Sequence, residues 1–513
     1  MAPSDPYIEP IARDFNLARY CIAQSDARPD HALGLTFIAD ERSHDWTWGA
    51  LRARCAQWQR ALLEQGVQRG DRVALLLPNG VDTPLALLAA AAMGAIPIVL
   101  SPQLKTPELR FILQDATPLL LVTSAPMDLG VAELTPGALS TAPALEGGEL
   151  VFADTGPDTP GYMVYTSGTT GNPRGVLHAH RAVWGRRPMR EGWTGITGSD
   201  RVLHAGQLNW TYAMGITVFD TWPVGGHALI YEGPRNAATW GAILRTHRPS
   251  IFAAVPGLYR QLLRDLPSLA SDTRSLRHAL CAGEPLPPSL HQDWVQTTGL
   301  ELYEALGMSE VSTYISSGPS TPTRPGSPGR PQAGRRVAVL PLDGGEAPLG
   351  AGRSGVLAVH RDDPGLMLRY WNSPDATQAA FRGPWFLTGD CARFDEDGYL
   401  WYEGRSDDII NALGYRVGPA EVEAALAQHP AIREVAVCGL EVRPGVTLVA
   451  AYLVFHPEFT SPNEAALTEF AKARLADYKQ PRVWRALSAL PRGRTGKVLR
   501  RELSAAWERE QAS

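Results

Sequence analysis

From Arg72 onward, short apolar runs alternate with helical stretches, and this rhythm constrains the fold more than any other feature of the chain. RVALLLP (72–78) reads as a strand, roughly Val81 to Met93 as a helix, IPIVL (96–100) as a strand, and Thr106-Pro107 as the opening of another helix before LLLVT (119–123). Continuous apolar strands that alternate with helices belong to a parallel α/β sheet covered on both faces. The alternation continues through Val202 to Ala282, with Ala228 to Tyr231 and Ile251 to Val255 as strands. The uncharged stretch Thr83 to Gln103 is long enough to cross a bilayer, but Gly94 and Pro97 interrupt it and alanine fills much of it. A buried helix running into a buried strand is the better reading, and no membrane span is expected.

After Met308 the texture changes. Ser316 to Gly334 is rich in Ser, Pro, Thr and Gly, and the short turn-bounded runs that follow predict a smaller β-rich portion. In the last stretch, Pro419 opens a helix, Glu434 to Leu440 and Thr447 to Phe455 read as strands, and Ser461-Pro462-Asn463-Glu464 reads as a capping box. The expected class is α/β: a large domain of parallel α/β sheets with a β-rich subdomain (residues 1–404), followed by a small α+β lid (residues 405–513). Charge supports this division, since residues 405–513 carry 15 basic and 13 acidic side chains within a chain of net charge −5. That overall balance is too mild to argue for a nucleic-acid partner. Eight basic residues and no acid lie between Lys479 and Arg501, which fits either a solvated face or a surface that meets phosphates. Cys21, Cys55, Cys281, Cys391 and Cys438 are odd in number and scattered, so neither a disulfide framework nor a zinc site is expected. The opening MAPSDPYIEPIARDF lacks the basic flank and apolar run of an export signal, and a reducing cytoplasm fits this reading.

The segment Tyr162-Met-Val-Tyr-Thr-Ser-Gly-Thr-Thr-Gly-Asn-Pro-Arg-Gly-Val176 runs from an apolar strand into a loop with four hydroxyls, three glycines and a cation. Glycines let backbone N–H groups approach phosphate oxygens, Thr166, Ser167, Thr169 and Thr170 can donate hydrogen bonds, and Arg174 adds charge. The Walker pattern fails, because Pro173 stands where the second glycine is needed.

This loop resembles the phosphate loop of the adenylate-forming superfamily: acyl-CoA synthetases, luciferases and peptide-synthetase adenylation domains. Ala282-Gly-Glu-Pro285, Leu306-Gly-Met-Ser-Glu310, Phe386-Leu-Thr-Gly-Asp390, Glu403 to Glu423 and Pro491-Arg-Gly-Arg-Thr-Gly-Lys497 resemble the superfamily's further motifs and stand in the same order. The resemblance implies a set of roles. Thr166, Ser167, Gly168, Thr169, Thr170, Gly171 and Arg174 would hold the triphosphate of ATP, with Thr166 and Arg174 also acting in catalysis. Gly283, Glu284 and Pro285 would lie along adenine, beside Leu306, Gly307, Met308 and Ser309. Glu310 would bind Mg²⁺, which suits a hard oxygen donor, although alone it could equally be a solvated acid. Asp390 would hold the ribose hydroxyls, Arg405 and Arg416 would meet ribose and α-phosphate, Asp407 would be the hinge of the lid, and Lys497 would neutralise charge growing at the α-phosphate. Arg174 departs from the superfamily's usual lysine, so its catalytic share is open.

By the same resemblance, Trp210, Thr211, Tyr212, Leu306, Gly307 and Thr313 would line an acyl pocket. Glycine at 307, where acetyl-CoA synthetases carry tryptophan, would leave that pocket open. The expected reaction joins an aryl, cyclic or medium-length carboxylic acid to a thiol through acyl-AMP, with release of pyrophosphate. Coenzyme A is the expected acceptor. A stand-alone enzyme loading a carrier-protein phosphopantetheine is the alternative, and a non-catalytic nucleotide-binding regulatory protein is the alternative from another class. The Pro491-x₄-Gly-Lys497 pattern also resembles sites at which a lysine acyltransferase silences related enzymes.

Overall fold

The computed structural model describes residues 10–39, 42–139, 149–166, 173–405, 410–412, 415–443, 446–459, 462–475, 477–492 and 498–512. These fall into two compact units, one of residues up to Val337 together with His360–Pro384, the other of Ala338–Val359 together with Trp385 onward. The compact units therefore divide within the β-rich region, ahead of residue 405.

The first unit holds two sheets. In the seven-stranded sheet the order is Arg369–Tyr370, Arg174–Ala179, Pro160–Thr166, Ile96–Val99, Arg72–Leu76, Leu120–Thr123 and Ala132–Leu134. Its centre is parallel, with Val73 in register with both Pro97 and Leu120. Pro160–Thr166 and Arg174–Ala179 form an antiparallel hairpin at one side, onto which Arg369–Tyr370 adds. The alanine-rich run becomes the helix Asp82–Ala92, buried from Thr83 to Ala92, and it leads into the fully buried strand Ile96–Val99. Small side chains explain this, because alanine lets a helix lie close against its neighbours on every side. No helix among the described residues is long and apolar enough to cross a membrane.

In the nine-stranded sheet, Leu302–Met308, His278–Ala282, Ile251–Ala254, Arg201–His204, His227–Glu232 and Leu33–Ala39 are successive parallel neighbours with antiparallel strands at both edges. The helices Ala237–His247, Pro256–Asp265 and Pro288–Thr298 cover it through Trp240, Tyr259 and Trp294; the Trp240 and Tyr259 rings pack on Phe252, and Trp294 packs on Tyr259.

The second unit carries a sheet built from Val337–Leu340, Gly355–His360, Trp385–Phe394 and Leu400–Arg405. Further along, Ile432–Arg443 pairs antiparallel with Val446–Phe455, which pairs in parallel with Val483–Ala486. Alternation along these strands sends Val437, Val449 and Ala451 towards Val422, Leu426 and Leu467 on one face. Ala436, Cys438 and Ala450 go to the opposite face with Leu490 and Leu503. The helix Glu464–Lys472 is capped by Asn463, whose side chain accepts from the Ala466 N–H. The N-cap is thus two residues later than the expected box, and Ser461 lies outside the described residues. All five cysteines are buried.

Candidate active site

In the first unit the hairpin ends with Thr166 opposite Arg174. Ser167, Gly168, Thr169, Thr170 and Gly171 lie outside the described residues. Glycine is required at 175, because a Cβ there would stand 2.9 Å from both Met163 Sδ and Trp371 Cβ. The Trp371 N–H donates to the Gly175 carbonyl at 2.7 Å, holding residues 369–371 against the hairpin. This places the Tyr370 ring under the Arg174 guanidinium at 5.5 Å. The same tyrosine donates its O–H to Glu310 Oε1 at 2.9 Å, and the Met367 N–H donates to the Glu310 carbonyl at 2.7 Å. Two residues assigned from separate motifs, a cation and a carboxylate, are therefore gathered on one aromatic ring. A planar guanidinium suits a ring face better than a lysine ammonium does, which gives a physical reason for arginine at 174. Tyr370 went unnoticed in the sequence, where Arg369-Tyr370-Trp371 is one short aromatic run among several.

Gly283, at the end of the strand His278–Ala282, is exposed and has φ +97°, a left-handed turn that sets the course of Glu284 and Pro285. Just beyond, Leu286 donates its N–H to Glu304 Oε1 at 2.9 Å. Burial pushes the Glu304 carboxyl up to about 8, with the Leu286 bond opposing. Glu304 is a second residue that sequence reasoning passed over. It precedes the 306–310 motif by two places and ties that motif to the 283–285 turn.

Leu306, Gly307 and Met308 end the strand Leu302–Met308, and Ser309 and Glu310 follow in the turn. A Cβ on Gly307 would lie 2.5 Å from the Ser312 carbonyl and 2.6 Å from Thr313 Cα. Glycine at this position serves the close approach of the strand Ser312–Ser316 across a bulge.

A cavity lies beside this motif. Trp210 and Thr211 line it, as does Ser309, which the resemblance set beside adenine; Tyr162, His178, Arg186, Asn209 and Ser312 line it too, and sequence reasoning did not select them as site residues. Leu306, Tyr212, Gly307 and Thr313 are not part of its lining. The Tyr212 ring stacks on Trp193, and its O–H is spent on the Leu280 and Ala254 carbonyls at 3.2 and 3.4 Å. In the wall, Arg186 gives Nε–H and Nη2–H to the two oxygens of Asp220 at 2.8 and 2.6 Å, with both side chains at most 5% exposed. Arg186 Nη1–H reaches Ser312 Oγ. A Cβ on Gly215 would come within 2.3 Å of Arg186 Nη2, so this glycine is the slot in which the guanidinium lies. Ser312 holds φ +78°, a strained setting for a non-glycine residue. His178 donates Nε2–H to the Ser309 carbonyl at 2.8 Å, which joins the cavity to the turn that bears Glu310.

In the second unit Asp390 and Arg405 are cross-strand partners, with Arg405 Nη1 3.1 Å from Asp390 Oδ1 and 2.9 Å from the Thr388 carbonyl. Gly389 leaves room for that guanidinium, since a Cβ there would meet Arg405 Nη2 at 2.6 Å. Asp390 is 7% exposed. The Arg416 backbone lies in the short strand Tyr415–Val417, while its side chain, Asp407 and Lys497 lie outside the described residues. The basic run is largely engaged within its own unit. Lys479 pairs with Glu421, Arg482 with Asp477, Arg492 with Glu434 and Arg500 with Glu423, and Arg485 lies over Trp507.

The AMP-binding enzyme family matches residues 23–371, and its C-terminal domain matches residues 421–497. The chain belongs to this family. It is 33% identical over 496 residues to a benzoate–CoA ligase of Thauera aromatica, covering 92% of each chain. Among solved structures it is similar to a benzoate CoA ligase from Burkholderia xenovorans LB400, with TM-score 0.82, 28% identity and coverage of 96% of this chain and 100% of that one. It is also similar to ATP-bound MatB from Rhodopseudomonas palustris, with TM-score 0.87, 25% identity and coverage of 96% and 99%.

Proposed function

We propose that this chain joins an aryl, cyclic or medium-length carboxylic acid to coenzyme A at the expense of ATP, and that the cavity lined by Trp210 and Thr211 holds the acyl group. One observation carries this reading: His178 ties the cavity wall to Ser309, the residue before Glu310, so acyl and phosphate positions share one short turn. In the first half-reaction a carboxylate oxygen forms a bond to the α-phosphorus, and the bond from that phosphorus to the bridging oxygen of pyrophosphate breaks. In the second, the thiolate of coenzyme A attacks the acyl carbon and AMP leaves with the electron pair. Neither step needs covalent chemistry from the protein, so its contribution is positioning and charge neutralisation.

Arg174 and the hydroxyl-rich segment from Thr166 to Gly171 hold the phosphates. Glu310 fits Mg²⁺, being a hard oxygen donor steadied by the Tyr370 O–H, and a metal shared with ATP takes only one or two carboxylates. When bound, that ion would offset phosphate charge. Gly283, Glu284, Pro285, Leu306, Gly307 and Met308 border adenine, with Glu304 propping the turn. Asp390, Arg405 and Arg416 serve the ribose and α-phosphate. Residues 405–513 act as a lid hinged at Asp407, which brings Lys497 in for adenylation and withdraws it for thioester formation. Acylation of Lys497 would cancel its charge and stop the first step.

Incubation with ATP, a panel of acids and either coenzyme A or a carrier protein, with AMP release and product mass as readouts, tests the reading. An acyl-CoA product is expected, and acyl transfer only to the carrier protein would overturn it. Lys497→Ala should cost at least ~10²-fold in adenylate formation, the scale for one lost charge-stabilising donor, while thioester formation from supplied acyl-AMP is largely kept. Equal loss in both half-reactions would contradict the lid role.

A further inference from the structure

The wall of the acyl cavity carries two buried acceptors that no group among the described residues satisfies. His178 is 2% exposed, and its Nε2 faces the Ser309 carbonyl, an acceptor only, so Nε2 holds the ring proton. Burial pushes this imidazole down to about 4, so near neutral pH it is uncharged and Nδ1 presents a bare lone pair. His178 Nδ1 has no hydrogen-bond partner, and neither does the buried Oδ1 of Asn209. Both residues line the cavity. The cation beside them does not answer this need, since Arg186 is already committed to Asp220 and Ser312. The ring of His178 is also fixed, stacked on Tyr162 with centroids 4.8 Å apart and planes 13° apart.

Resting on the acid–CoA ligase reading above, we propose that the cavity selects acids that carry a hydrogen-bond donor, a hydroxyl or amino group, on the acyl portion, and that His178 Nδ1 and Asn209 Oδ1 accept that hydrogen. A hydrocarbon acyl group would leave both acceptors buried and unpaired, which is the condition under which a site rejects an analogue lacking the donor. The reacting carboxylate, itself only an acceptor, is repelled by the same lone pairs and is directed away from them. His178 and Asn209 are thus specificity residues, and the single tie from His178 to Ser309 sets the distance between the recognised group and the reacting end.

The test compares kcat/KM for acid-dependent AMP release across hydroxy- and aminobenzoates at each ring position with benzoate and the matched methyl and methoxy analogues. Binding of the same acids by calorimetry serves as a readout independent of turnover. The best donor-bearing acid should exceed its methyl and methoxy counterparts by at least ~10-fold, about one unsatisfied buried acceptor. Asn209→Leu should shrink that gap several-fold without raising KM for ATP. His178→Phe should do the same, and the wild-type comparison stands without it if its lost bond to Ser309 compromises folding. Equal preference for donor-free analogues, or a gap unchanged in both variants, would overturn the assignment while leaving the ligase reading intact. Failure of every acid to release AMP or to bind would instead overturn the ligase reading, and this inference with it.

Discussion

Tyr370 connects two residues that the sequence could name only separately. Its ring carries Arg174 and its hydroxyl holds Glu310, so Tyr370→Phe keeps the first contact and removes the second. Loss of a hydrogen bond to a charged group costs roughly 1.5–3 kcal/mol, so KM for Mg-ATP should rise ~10-fold or more while KM for the acid stays within about twofold. An unchanged KM for ATP would show that Glu310 needs no such support. Gly307 teaches the opposite lesson. The sequence suggests that its missing side chain opens the acyl pocket, yet the space a Cβ would need is taken by the backbone of Ser312 and Thr313. A contact across a bulge has no signature in a linear chain, whereas a loop of glycines and hydroxyls does. For the same reason Arg186, Asp220 and Gly215 escaped notice, since only the fold brings them together.

Elements with a strong local pattern are legible in the sequence. The helix expected from Val81 to Met93 spans Asp82–Ala92, and the strand expected from Thr447 to Phe455 spans Val446–Phe455. The pairing of Leu33–Ala39 with His227–Glu232 was not legible, because nearly two hundred intervening residues carry no local trace of it. Nor did the basic run announce its partners, which lie on other elements of the second unit. Glu423 is the clearest of these. From the helix Pro419–Leu426 it accepts from Arg500 and from the Val437 N–H at 2.8 Å, joining helix, sheet and C-terminal helix. Glu423→Ala should lower the stability of this unit by roughly 1–3 kcal/mol and speed hydrogen exchange at the Val437 amide. An unaltered exchange rate would mean that the three elements are held by apolar packing alone.

At the scale of the whole molecule, the buried histidines make the first unit sensitive to acid. Burial pushes His178, His180 and His227 down to about 4 and His204 to about 3. These four imidazoles take up protons near 6.5 when unfolded but only near 4 or below when folded. They therefore contribute stability that is full above about 6.5 and lost as pH falls towards 4. Glu304, raised to about 8, works the other way, its contribution being full below the ordinary carboxyl range and lost as pH rises through 8. Burial also lowers His247, His278 and His360, so between pH 6.5 and 4.5 the histidines together outweigh Glu304 and the urea midpoint should be lower at pH 5.5 than at pH 7.0. Equal midpoints would show that these histidines are hydrated in solution.

Ligase activity of the proposed kind requires that a carboxylic acid and ATP react reversibly on this chain. Exchange of labelled pyrophosphate into ATP measures that step without coenzyme A. We expect exchange only when an acid is present, strongest with aryl acids and reduced at least ~10²-fold in Lys497→Ala. Exchange that proceeds equally without any acid, or that no acid supports, would contradict the account.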